Sequence, residues 1–161
     1  MELLYKKIID VVEEESLCLE KFLELLVNQQ KYLVENDLEN LKDGVAHQQN
    51  IIDRVKDLEK QRGQLVAMYS ESENLNPNDV TISGLARKAG GQIADKLLEL
   101  QNSLLSLHKK IDKAKRKNEF LIEHSMKYID GTIRLIASGS AQKKDYSKRD
   151  KQESLILSRT V

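Results

Sequence analysis

The sequence predicts an all-α protein: a long antiparallel helical hairpin plus a third long helix, packed as a three-helix, coiled-coil-like bundle. A short linking helix and a flexible C-terminal tail complete it. Three observations carry this. Only one proline and seven glycines punctuate 161 residues, which leaves little turn chemistry for a many-stranded sheet. Apolar residues recur at steps of three and four along three long segments, the spacing of one helical face. Leu, Ile, Val and Phe supply 47 residues, about 29 % of the chain, enough apolar surface to offset the entropy of ordering it.

The first helix is expected over about residues 2–35, which contain neither Gly nor Pro. Leu4, Ile8, Val11, Val12, Leu19, Phe22, Leu25, Leu26 and Leu33 share one stripe, and charged residues fill the opposite side. Cys18 borders the stripe and reads as a small buried apolar residue. Asn36, followed three positions later by Glu39, has the form of an N-cap with a reciprocal partner, opening a second helix at Asp37. That helix, about residues 37–69, carries Leu38, Leu41, Val45, Ile52, Val55, Leu58, Leu65 and Tyr69 on one stripe. A break this short sends the second helix back along the first.

Residues 70–79 are polar except for Leu75 and hold the lone proline, so they read as a loop. Thr81 is placed to cap a short helix over 81–89, with Val80 and Leu85 at the two positions of a hydrophobic staple. Gly90-Gly91 ends it. The third long helix is expected over 92–138, its stripe running from Ile93, Leu97 and Leu100 through Leu104, Leu107 and Ile111 to Ile122 and beyond. Its 47 residues would span about 70 Å, longer than either hairpin arm, at about 1.5 Å per residue. Asn118 falls on the stripe, where a polar residue fixes register at some cost in stability. Residues 1–138 therefore form the bundle and 139–161 the tail, where only Tyr146 and the run Leu155, Ile156, Leu157 could bury themselves.

Twenty-six basic and twenty-six acidic side chains cancel, which argues against a dedicated nucleic-acid binder. The charge is uneven all the same. The first helix carries Glu13-Glu14-Glu15, and residues 109–117 hold six bases against one acid; these runs could face each other if the third helix lies parallel to the first. No aromatic residue interleaves that basic run, so it reads as a solvated face. The single cysteine cannot form an internal disulfide, the first residues lack a secretory layout, and no apolar run reaches the roughly 20 residues that cross a bilayer. A cytoplasmic setting without membrane insertion is the expectation.

No catalytic, metal or cofactor constellation is visible. His47, His108 and His124 are scattered, without paired spacing or a Cys partner, and the glycines form no phosphate loop. The expectation is a non-enzymatic, cofactor-free helical binding protein, since helices bind by offering grooves or apolar faces.

The turn Asn36-Asp37-Leu38-Glu39, the stretch Leu58-Glu59-Lys60-Gln61-Arg62, the stretch from Asn118 to Glu123, and a lone Tyr146 some 18 residues beyond Tyr128-Ile129 together resemble the FlgN-type flagellar export chaperones. The resemblance covers nearly the whole chain in length and helix order. It implies a cytoplasmic chaperone that binds the disordered terminal segment of hook–filament junction proteins and delivers them to the flagellar type III export gate, aiding flagellum assembly. It further implies that the end of the last helix and the tail make these contacts. Tyr146 matches the family's gate-engaging tyrosine, although residues 147–152 hold no glycine where that stretch has one.

A last helix that outruns its hairpin leaves apolar residues for a partner. The expected partner-binding residues are Tyr128, Ile129, Ile133, Leu135, Ile136, Tyr146, Leu155, Ile156 and Leu157. The competing reading is a structural coiled-coil adaptor, a homo-oligomer formed through the long helices.

Overall fold

The computed structural model describes residues 1–137. Its elements are α1 (Glu2–Glu35), α2 (Leu38–Glu73), a 3-10 turn (Pro77–Asp79), α3 (Ile82–Ala89) and α4 (Gly91–Ala137). Every regular element among the described residues is helical, as the periodicity predicts, and the chain divides into two compact units. One comprises Met1–Leu25 with Ala46–Ile111; the other comprises Leu26–Val45 with the chain from Asp112.

In the first unit the core gathers Tyr5, Ile8 and Val12 of α1, Tyr69 of α2, Leu85 and Ala86 of α3, and Leu97 and Leu100 of α4. Each large side chain buried here contributes about 1.5–3 kcal/mol over remaining in water. Tyr5 meets Tyr69, while Glu15 meets Arg62, so residue numbers fall along α2 as they rise along α1. That is the antiparallel order a tight connection requires. In the second unit Leu33 of α1, Leu41 of α2 and Ile122 of α4 form a smaller cluster, flanked by Tyr32 and Leu121.

The caps explain the boundaries, and one differs from expectation. Asn36 is not the N-cap of α2. It takes a left-handed conformation, φ 53°, and Asp37 N–H donates to Tyr32 O at 2.9 Å, closing α1 with a Schellman bond. The N-cap is Asp37, whose Oδ1 accepts from Asn40 N–H at 3.2 Å. The Asn40 side-chain and backbone hydrogen bonds hold the Asp37 carboxyl below its usual range. Both residues favour caps; asparagine's tolerance of positive φ decides which takes which role.

The second helix also runs past Tyr69, through the start of the expected loop. Ser70 Oγ donates to Val66 O at 2.7 Å and Ser72 Oγ to Tyr69 O at 2.7 Å, so these hydroxyls turn back onto their own helix instead of breaking it. The stop comes at Asn74, again at positive φ. Thr81 caps α3 as its position predicts: Oγ1 accepts from Gly84 N–H at 3.0 Å, and Val80 packs on the core that holds Leu85. Gly90, φ 66°, ends α3 in a conformation open to glycine.

The seam is more polar than the apolar stripes suggest. Glu15, Ser16, Gln29, Gln48, Ser70 and Asn118 are buried. Gln48 takes the turn of α2 where the expected stripe had none, while Leu38 and Ile52 point outward. Arg62 Nε donates to Glu15 Oε1 at 3.1 Å. Burial nevertheless pushes the Glu15 carboxyl above its ordinary value, against the pull of Arg62.

The acidic triplet does not face the basic run of α4. Glu13 pairs with Lys96 at 2.8 Å, Glu14 with Arg54 and Glu15 with Arg62. In the basic run, Arg116 pairs with Asp112 at 2.9 Å and Lys115 lies 3.8 Å from Glu119, both one helical turn away. A neighbour on the same helix is reached without ordering a second element, and that wins over a distant run of opposite sign. Cys18 is half-buried rather than buried.

Candidate partner-binding surface

The partner surface expected from the sequence belongs to the last turns of α4, within the second unit. There, Asn118 and Ile122 are the buried residues of α4 among the described side chains. Asn118 Nδ2 donates to Leu26 O at 2.8 Å and to Gln29 Oε1 at 2.9 Å, anchoring α4 to α1. One turn later Ile122 packs between Leu33 and Leu41.

Leu33 lies within a turn of the end of α1, and Leu41 within a turn of the start of α2. The hairpin therefore closes at the level of Ile122. The last helix continues to Ala137, about 20 Å further at about 1.5 Å per residue. Ile129 and Ile136 follow Ile122 at successive steps of seven, the repeat that keeps residues on one helical face. They continue the register of the buried seam where α1 and α2 have ended.

Of the residues expected to bind a partner, Leu135 is 78 % exposed. Tyr128, Ile129, Ile133 and Ile136 belong to α4, but their side chains lie outside the described ones. Tyr146, Leu155, Ile156 and Leu157 lie outside the described residues altogether. Phe120, absent from the expected partner-binding residues, is 66 % exposed and stacks on His124, with centroids 6.0 Å apart and planes at 9°. An aromatic residue one step off the apolar stripe was its only signal.

Elsewhere, a cleft of about 370 Å³ in the first unit is lined by Met1, Glu2, Tyr5, Glu73, Lys88, Ala89 and Ile93. Glu73 and Lys88 are paired with each other there. Among the described residues no group of three or more His, Cys, Asp or Glu side chains is placed to hold a metal ion. Likewise no helix among them is long and apolar enough to cross a membrane.

Among the described residues the regular elements are all helical, and in the second unit α4 runs on past the α1–α2 connection beside which Ile122 packs. The model of the FlgN protein family matches residues 1–154, so the chain belongs to that family, the flagellar export chaperones. No curated protein and no solved structure matches it.

Proposed function

We propose that this chaperone carries hook–filament junction proteins. It binds their terminal helical segment along the end of α4 and in the tail, and delivers them to the flagellar export gate. One observation supports this above the rest: α4 extends about 20 Å past the level at which Ile122 meets Leu33 and Leu41. That length continues the seam register through Ile129 and Ile136 with no hairpin arm left to cover it. An amphipathic segment folding onto those turns would replace the missing arms. Ordering the carried segment on binding costs free energy, which keeps a large interface reversible. A carrier that must release its cargo needs that reversibility.

The remaining roles follow from the same reading. Tyr128, Ile133, Leu135 and Ile136 contact the carried segment, Leu155, Ile156 and Leu157 close over it, and Tyr146 engages the gate. The protein works in the cytoplasm, without catalysis.

Co-expression with hook–filament junction proteins, followed by co-purification, tests the proposal. Ile129→Asp and Ile136→Asp are expected to weaken capture by about tenfold or more, while shifting the melting temperature only slightly. A large loss of stability with capture retained would instead mark these positions as core. A tight dimer in sedimentation, formed through the end of α4, would favour the adaptor.

A further inference from the structure

The outward face of α4 in the second unit carries a second pattern. At about 100° per residue, Lys113, Lys117, Phe120, His124, Lys127 and Arg134 fall within an arc of about 100°. They follow one another at steps of three, four and seven. The arc lies on the opposite side of the helix from the buried Asn118 and Ile122. All six residues are exposed.

Their charges are not spent at home. Asp112 and Glu119 already pair with Arg116 and Lys115. Glu123 and Asp130 stand just beyond the edge of the arc, four residues before Lys127 and Arg134, and leave it with a net positive charge. Among the described residues, Lys113, Lys117, Lys127 and Arg134 make no ion pair. Between the two pairs of cations sits the Phe120–His124 stack, an apolar platform in the middle of a basic stripe. The aromatic interleaving missing from residues 109–117 is thus supplied one turn further on.

We propose that this stripe is a docking face for an acidic amphipathic helix of the carried protein. The inference rests on the chaperone reading and adds the chemistry of the cargo. Carboxylates spaced three and four apart meet Lys113, Lys117, Lys127 and Arg134, and an apolar side chain between them covers Phe120. Charge complementarity selects the occupant: a basic stripe rejects basic segments more strongly than it attracts acidic ones, which supplies specificity and a fast encounter. Two features favour a peptide over a nucleic acid. The chain as a whole is neutral. The arc also holds one aromatic ring beside one histidine, not a succession of platforms for successive bases.

The test uses the full chain and two synthetic helical peptides. One has glutamates at three- and four-residue spacing around a single leucine; the other has lysines in their place. Fluorescence anisotropy is expected to show binding of the acidic peptide, weakening as salt rises, and none of the basic one. Combining Lys113→Glu with Lys117→Glu should reduce affinity about tenfold or more, whereas Lys113→Arg with Lys117→Arg should retain it. Circular dichroism of both double variants should match the parent. Equal binding of the two peptides, indifference to charge reversal, or tighter binding of an oligonucleotide of similar charge would overturn the proposal.

Co-purification with junction proteins separates the two readings. Capture by the parent and not by the reversed variant supports this face. Equal capture by both overturns it and leaves the chaperone reading intact. Capture by neither counts against that reading, and the peptide titration then decides the face alone.

Discussion

Tyr5 and Tyr69 close one end of the first unit, with ring centroids 5.7 Å apart and hydroxyls 3.5 Å apart. Burial first, and then the hydrogen bond to Tyr69, push the Tyr5 phenol up to about 12. Between the ordinary tyrosine value, about 10, and that raised value the folded state keeps a proton that the unfolded state has lost. Stability from Tyr5 is thus complete below the window and falls as pH rises through it. Tyr5→Phe should flatten this alkaline loss, measured as urea midpoints on either side of the window. A second prediction concerns Asn118, 3 % exposed with Nδ2 shared between Leu26 O and Gln29 Oε1. Asn118→Ala removes two buried hydrogen bonds that tie α4 to α1 and should cost about 1–3 kcal/mol, read from denaturant unfolding. The periodicity exposed Asn118, because one polar residue interrupts an aliphatic run. It did not expose Glu15, Gln29 or Gln48. A search for apolar spacing passes over the polar residues that share the same turn.

Among the elements, α3 is the one whose capping chemistry was fully legible. Threonine, three intervening positions and a staple pair fixed its start, and the hydrogen bond from Gly84 N–H to Thr81 Oγ1 at 3.0 Å confirms the geometry. Thr81→Ala should cost about 1 kcal/mol. Because Leu85 and Ala86 sit in the core of the first unit, the loss should appear in global unfolding rather than as local fraying. The connection between α1 and α2 was legible as a break but not in its roles. Asn36 and Asp37 are both cap formers, and only the backbone angles show asparagine closing one helix and aspartate opening the next. The C-terminus of α2 was hidden for a related reason. Serine favours loops in general, yet Ser70 is 1 % exposed and bonds to Val66 O, so burial held it in the helix.

At the scale of the molecule, the length of α4 matters more than any single contact. The sequence indicated a third helix longer than the hairpin arms. The structure shows where the excess begins, because Ile122 meets Leu33 and Leu41 beside the α1–α2 connection. The identity of the proposed cargo segment was not legible in the same way: apolar spacing beyond the hairpin carries no information about what would cover it. The tail then offers a clean separation of folding from function. The described residues of both core clusters run no further than Ile122, and on that basis the bundle is expected to stand without residues 139–161. Such a truncation should leave helical content and melting temperature nearly unchanged, followed by circular dichroism. Capture of junction proteins should weaken, and delivery should weaken further, because the deletion removes Tyr146 together with Leu155, Ile156 and Leu157. A truncated chain that loses its helices on heating well before the parent would make the tail part of the bundle. One that captures and delivers its cargo undiminished would place the whole interface on α4.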